Sequence, residues 1–134
     1  MALYYAINRD NYKRANILIT RGYNLDESGF FGITPLMLLT RRAKHKNCFK
    51  LMAKLIDNGV DLNLKCKNMD TALIIATKNT RTYSSISTVR LLIDAGAIPG
   101  AKNHRGLTAL VFAARHCAEH STVETVKMLI EAYF

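Results

Sequence analysis

No stretch of this 134-residue chain approaches the roughly 18 consecutive apolar residues that a membrane-crossing helix needs, so no membrane partner is expected. The opening Met1-Ala2-Leu3-Tyr4-Tyr5 lacks the charged lead and apolar core of a secretory signal. Cysteine is scarce: Cys48, Cys66 and Cys117 are unevenly placed, and no pair has the spacing of metal ligands. Together these absences point to free thiols in a reducing, cytoplasmic compartment. Also missing are a Gly-rich phosphate loop of the Walker or dinucleotide type and any Ser-His-Asp set suggested by position. The neighbouring acids Asp26 and Glu27 lie in a turn, so catalysis is not expected and no cofactor is implied. His116-Cys117-Ala118-Glu119-His120 puts two histidines four apart on one helical face but lacks the glutamate of a His-Glu-x-x-His site, so no metal site is expected either. Acids are the last shortage: 10 Asp and Glu against 19 Lys and Arg give a net charge of +9. That imbalance favours acidic partners, protein or nucleic acid, and is silent about fold.

What the chain does contain is a signal that returns. Gly32-Ile33-Thr34-Pro35-Leu36 comes back as Met69-Asp70-Thr71-Ala72-Leu73 and as Gly106-Leu107-Thr108-Ala109-Leu110, with the threonines 37 residues apart. Gly22, Gly59 and Gly96 keep the same step, each 12 residues before the next of these threonines. Two markers in constant register define a repeat array rather than one globular core. Thr34 suits a helix N-cap, and Pro35 at the first helical position has no amide to leave unsatisfied. Each glycine sits where a second helix must stop in a left-handed backbone. A unit therefore reads as a first helix, a turn, a second helix, a glycine stop and an extended connection.

The first unit is compact, with helices expected over about 2–9 and 12–21. In the later units the first apolar residue of the second helix (Phe49, Ile86, Val123) lies 15 residues past the start signal, against 11 for Tyr12, so four residues have been added. Four residues are about one helical turn, which predicts a lengthened first helix or a longer link between the two. In the third unit the second helix is expected from about Ser87 to Ala95, with Ser85 or Ser87 as its cap. The added stretches hold Lys44, His45 and Lys46, then Arg81 and Tyr83, then His120; stacked units would set them side by side, as a solvated turn or as a second contact edge.

Gly106-Leu107-Thr108-Ala109-Leu110-Val111-Phe112-Ala113-Ala114, with Val89-Arg90-Leu91-Leu92-Ile93-Asp94-Ala95-Gly96-Ala97 before it and Gly59-Val60-Asp61-Leu62-Asn63 further upstream, resembles the ankyrin repeat family over essentially the whole chain. The resemblance implies an all-α solenoid of helix-turn-helix units joined by β-hairpin-like loops, with units at about 1–28, 29–65, 66–102 and 103–134. The chain departs from the family in its 37-residue step, where 33 is usual. It also departs in Met69, which stands in a glycine position, and in the absence of polar capping units, which suggests a fragment of a longer array. Long irregular repeats of this kind are similar to those of large viral and intracellular-pathogen proteins, which would place the chain in host cytoplasm.

The resemblance implies a binding scaffold whose hairpin tips and exposed first-helix faces share one concave surface. Carried over position by position, that surface holds Phe30, Phe31 and Ile33, then Lys67, Asn68 and Asp70, then His104, Arg105 and Leu107. The first helices add Arg9, Arg41, Arg42, Lys78, Asn79, Arg115 and His116. The set is basic with an aromatic patch, suited to an acidic or mixed protein surface. Two structural alternatives stand beside it: Arg41, Arg42, Lys78 and Arg115 could complement helix dipoles, and Phe30 and Phe31 could pack between hairpins. Asn63 resembles the asparagine hydroxylated in some ankyrin repeats, and read as structure it bonds the turn backbone. Nucleic acid is the less favoured partner, because no aromatic series interleaves with the basic residues. A structural spacer inside a larger protein is the third reading.

Overall fold

In this computed structural model the described residues are 2–42, 46–78, 83–115 and 120–133. They form eight α-helices: α1 (Ala2–Asn8), α2 (Tyr12–Thr20), α3 (Pro35–Arg41), α4 (Lys46–Asp57), α5 (Ala72–Lys78), α6 (Tyr83–Asp94), α7 (Ala109–Arg115) and α8 (His120–Tyr133). Among the described residues there is no β-strand, and no helix is long and apolar enough to cross a membrane. The first helices α1, α3, α5 and α7 lie side by side in one layer, and each packs on the second helix of its own pair; α2 meets α4, and α6 meets α8, in the other layer.

The start signals behave as their chemistry dictates. Thr34 Oγ1 accepts the Met37 amide at 3.2 Å, and Thr71 Oγ1 accepts the Ile74 amide at 3.3 Å, so two first helices are capped by the repeated threonine. At the other ends Gly22, Gly59 and Gly96 take φ of 75°, 82° and 101°. The next residues then close the helices: Tyr23, Val60 and Ala97 donate to the carbonyls of Leu18, Leu55 and Leu92. Those three leucines and Leu129, spaced 37 apart, are at most 7% exposed and form the spine of the second layer. Leu36, Leu39, Leu73 and Ile74 fill the space opposite them, each at most 1% exposed. No helix pair could bury these stripes alone, which is why the pairs stack.

The four added residues lengthen neither the first helix nor the link alone. Among the described residues every first helix has seven residues, while α4 and α6 have 12 and α8 has 14 against nine in α2. The ends α2 Thr20, α4 Asp57 and α6 Asp94 keep the 37-residue register, but α4, α6 and α8 begin three residues ahead of it. The addition is thus chiefly an extra turn at the N-terminus of the second helix. Cys48 explains it in α4: the residue is fully buried, and its thiol lies 3.6 Å from the Tyr12 hydroxyl of the preceding unit. Ser85 and Ser87, expected as caps, therefore lie inside α6.

Candidate functional site

The hairpins between helix pairs are built on one pattern. Gly29, Cys66 and Asn103 donate their amides to the carbonyls of Ile33, Asp70 and Leu107 at 2.8–3.0 Å. Adjacent hairpins then join: Lys67 donates its amide to Phe31 O at 2.8 Å, and one repeat later His104 donates to Asn68 O at 3.0 Å. His104 Nδ1, 2.9 Å from the same Asn68 carbonyl, adds a second donor in its Nδ1–H tautomer. The tips are consequently fixed to one another by backbone, and their side chains project from a rigid edge.

Phe30 and Phe31 do not pack between hairpins. They are 60% and 71% exposed. Phe31 holds a left-handed φ of 58°, followed by Gly32 at 70°, and the Lys67 ammonium lies 5.7 Å from its ring centre. Phe30 meets Tyr4 edge-on at 6.5 Å, and Tyr4 meets Tyr5 the same way at 5.8 Å. Gly29 is required beneath this cluster, since a Cβ there would come within 2.5 Å of the Tyr4 ring.

The basic residues divide into two groups. Arg41 and Arg115 are exposed at the ends of α3 and α7, in register with Lys78 at the end of α5. Lys67 and Arg105 are exposed at the hairpin tips. Arg42 is different: it turns back to the preceding unit, donating to Ile7 O at 2.9 Å, Asp10 Oδ1 at 2.7 Å and Asn8 Oδ1 at 3.2 Å. It thereby satisfies the C-terminal end of α1, whereas Arg41 stays exposed.

Asp70 is likewise turned inward. It is 4% exposed, its Oδ2 sits 2.6 Å from Lys78 Nζ, and its Oδ1 accepts from Asn103 Nδ2 at 3.0 Å. Asn103 Oδ1 in turn accepts the Arg105 and Leu107 amides at 2.9 and 3.1 Å. The carboxylate thus ties the second hairpin to the third, because burying it is tolerable only with a cation and a donor beside it. Ile33 and Leu107 are half-buried against the core and serve packing. Asn68 is exposed next to Lys67. Asn79 and His116 lie outside the described residues, as do Lys44, His45 and Arg81.

Sequence reasoning missed Asn103, the hub of that network, and Phe112, whose ring lies under Lys78 at 4.9 Å and Arg115 at 5.8 Å. The first could have been found by noticing that Asn103 holds the hairpin position of Gly29 and Cys66. Asn63 Oδ1 accepts the Ile98 amide at 2.9 Å, and Asp26 Oδ1 accepts the Asp61 amide at 2.9 Å one repeat earlier. No group of three or more metal-ligating side chains occurs among the described residues.

Charge is concentrated on this side of the chain. The hairpin and first-helix segments 29–42, 64–78 and 101–115 carry Arg41, Arg42, Lys65, Lys67, Lys78, Lys102, Arg105 and Arg115 against a single acid, the buried Asp70. The other eleven Lys and Arg are nearly balanced by nine acids elsewhere. Seven of the nine net charges therefore belong to the hairpin and first-helix segments.

A family model of ankyrin repeats, three copies long, matches residues 3–103 and again 42–134. With the all-α stack of helix pairs, this shows that the chain belongs to the ankyrin repeat family. Members of that family generally act as non-enzymatic scaffolds for protein–protein interaction. The sequence matches no curated protein significantly.

Proposed function

We propose that this chain is a non-enzymatic scaffold that binds an acidic or mixed surface of another protein through its hairpin tips and the ends of its first helices. The observation that carries the reading is the pair of exposed rings at Phe30 and Phe31, set beside segments holding eight basic residues and one buried acid. The rings supply apolar contact area, and Arg41, Lys67, Arg105 and Arg115 supply donors for carboxylates around it. Within this reading Arg42, Asp70, Ile33 and Leu107 hold the surface in shape, and Asn63 is a structural staple between units. Lys78 does both, since its ammonium bonds Asp70 while lying over Phe112.

The test is a pulldown with wild type and the Phe30→Ala/Phe31→Ala double variant at two salt concentrations. The variant should lose its bound protein while melting at the wild-type temperature, because both rings are already largely in solvent. Identical bound proteins for the two would overturn the anchor assignment. Binding that falls log-linearly with salt, by a slope of about −0.7 to −0.9 per phosphate contacted, would instead show a polyanion.

A further inference from the structure

A row of cations crosses the first helices near their C-terminal ends. Arg41, Lys78 and Arg115 stand 37 residues apart, each in the last turn of its helix and each exposed. The first unit holds Asn8 in this place, and its Oδ1 is taken by Arg42, so the row has three members. Both α3 and α5 have a first helix packed on either side, so Arg41 and Lys78 are exposed well inside the stack, and Arg115 keeps the same position on α7. A helix C-terminus favours a cation, which accounts for one charge per helix.

The neighbours of these charges point further. Lys78 Nζ lies 4.9 Å and Arg115 Cζ 5.8 Å from the centre of the same Phe112 ring, so two like charges share one aromatic group. Asp70 answers Lys78 at 2.6 Å. Among the described residues no carboxylate pairs with Arg41 or Arg115. A line of one sign, compensated only at its middle, attracts a series of anions.

Spacing selects among them. Helices packed side by side lie about 8–10 Å apart, and the row repeats at that interval. A polyproline II segment completes a turn in three residues at about 3.1 Å each, which sets every third side chain on one side at about 9 Å. Phosphates about 3.4 Å apart along a duplex strand would bring about three charges to each cation, and an α-helix repeats its face every ~5.4 Å.

Presupposing the scaffold reading above, we propose that this row binds an extended, polyproline II segment of the partner protein that carries Asp or Glu at every third residue, one carboxylate to each cation. Arg41 and Arg115 take the outer two through their paired N–H donors. Lys78, already bonded to Asp70, takes the middle one and contributes least.

The test is an NMR titration of the ¹⁵N-labelled chain with the acetylated, amidated peptide Glu-Pro-Pro-Glu-Pro-Pro-Glu, set against Pro-Pro-Glu-Glu-Glu-Pro-Pro, which has the same composition and charge. Saturable shifts are expected at the Arg41 and Arg115 Nε–H groups with the spaced peptide, at about millimolar affinity for so short a probe. The clustered peptide should bind about tenfold more weakly, and Arg41→Gln and Arg115→Gln should each lower affinity for the spaced one about tenfold, as for loss of one charged hydrogen-bonded pair. Lys50→Gln removes an exposed charge from α4, in the other layer, and should bind as wild type does. So should the Phe30→Ala/Phe31→Ala variant. Equal affinity for the two peptides, an equal loss in Lys50→Gln, or tighter binding of a seven-nucleotide oligothymidylate than of the spaced peptide would each overturn the proposal. None of these would remove the Phe30 and Phe31 anchors, which the pulldown tests separately.

Discussion

Met69 takes φ 62° at the position where the flanking hairpins place Gly32 and Gly106 at 70° and 75°. Met69 stands in a glycine position, and the turn keeps its form: Met69 N donates to Cys66 O at 2.8 Å, as Gly106 N does to Asn103 O at 2.9 Å. Two further contacts fix the backbone, since the amides of Lys67 and His104 are bonded across hairpins. The left-handed strain is therefore carried by a residue with a Cβ, at a cost of about 1 kcal/mol. Met69→Gly should raise stability by up to about 0.5 kcal/mol, the relief being largely offset by the greater freedom of glycine in the unfolded chain. Urea denaturation checks it, and a loss of stability would show that the exposed Met69 side chain makes a contact of its own.

The extra turn on α4 is held by a small polar cluster at its base. Cys48 is buried against the half-buried Tyr12, whose hydroxyl donates to Asp10 Oδ1 at 3.0 Å, and Asp10 meets Arg42 at 2.7 Å. Burial pushes the Cys48 thiol above its usual range of about 9, though its contact with Tyr12 and the charge of Arg42 act the other way. Burial, then the contacts with Cys48 and Asp10, pushes the Tyr12 hydroxyl up as well, from its ordinary 10.0. Both groups are kept neutral by folding, so the unfolded chain loses their protons first as pH rises. Stability from this cluster is complete below about pH 9 and declines above it, first through Cys48 and then through Tyr12. Urea midpoints at pH 7.5 and 10.5 should fall less in Tyr12→Phe than in wild type, and an equal fall would remove Tyr12 from the account.

The first three units are joined by backbone-directed staples placed 37 residues apart. Asp26 bonds the Asp61 amide and Asn63 bonds the Ile98 amide; each is itself set by a turn, from Asn24 and Asp61 respectively. The next position in this series is Gly100, which has no side chain to continue it; there a Cβ would come within 3.1 Å of the Tyr133 ring. Nearest-neighbour arrays gain stability junction by junction. Asn63→Ala should thus cost about 1 kcal/mol and speed hydrogen exchange at Ile98, leaving Asp61 as protected as before. Uniform loss of protection over all four helix pairs would show instead that the stack opens only as one cooperative body.

The caps at Thr34 and Thr71 and the stops at Gly22, Gly59 and Gly96 were legible in the sequence because each depends on residues within a few positions of itself. What lay 30 or more residues away was not. Arg42 looks like Arg41 in the sequence and differs only because Ile7 and Asp10 stand behind it. Asp70 looks like a surface acid and is buried because Lys78 and Asn103 close over it. The direction of the extra turn was likewise decided by a neighbour, Tyr12, against which Cys48 could be buried. Sequence by itself determined the unit and its step; tertiary structure decided which charges face a partner, since a charge is free only where the adjoining unit offers it no counter-group.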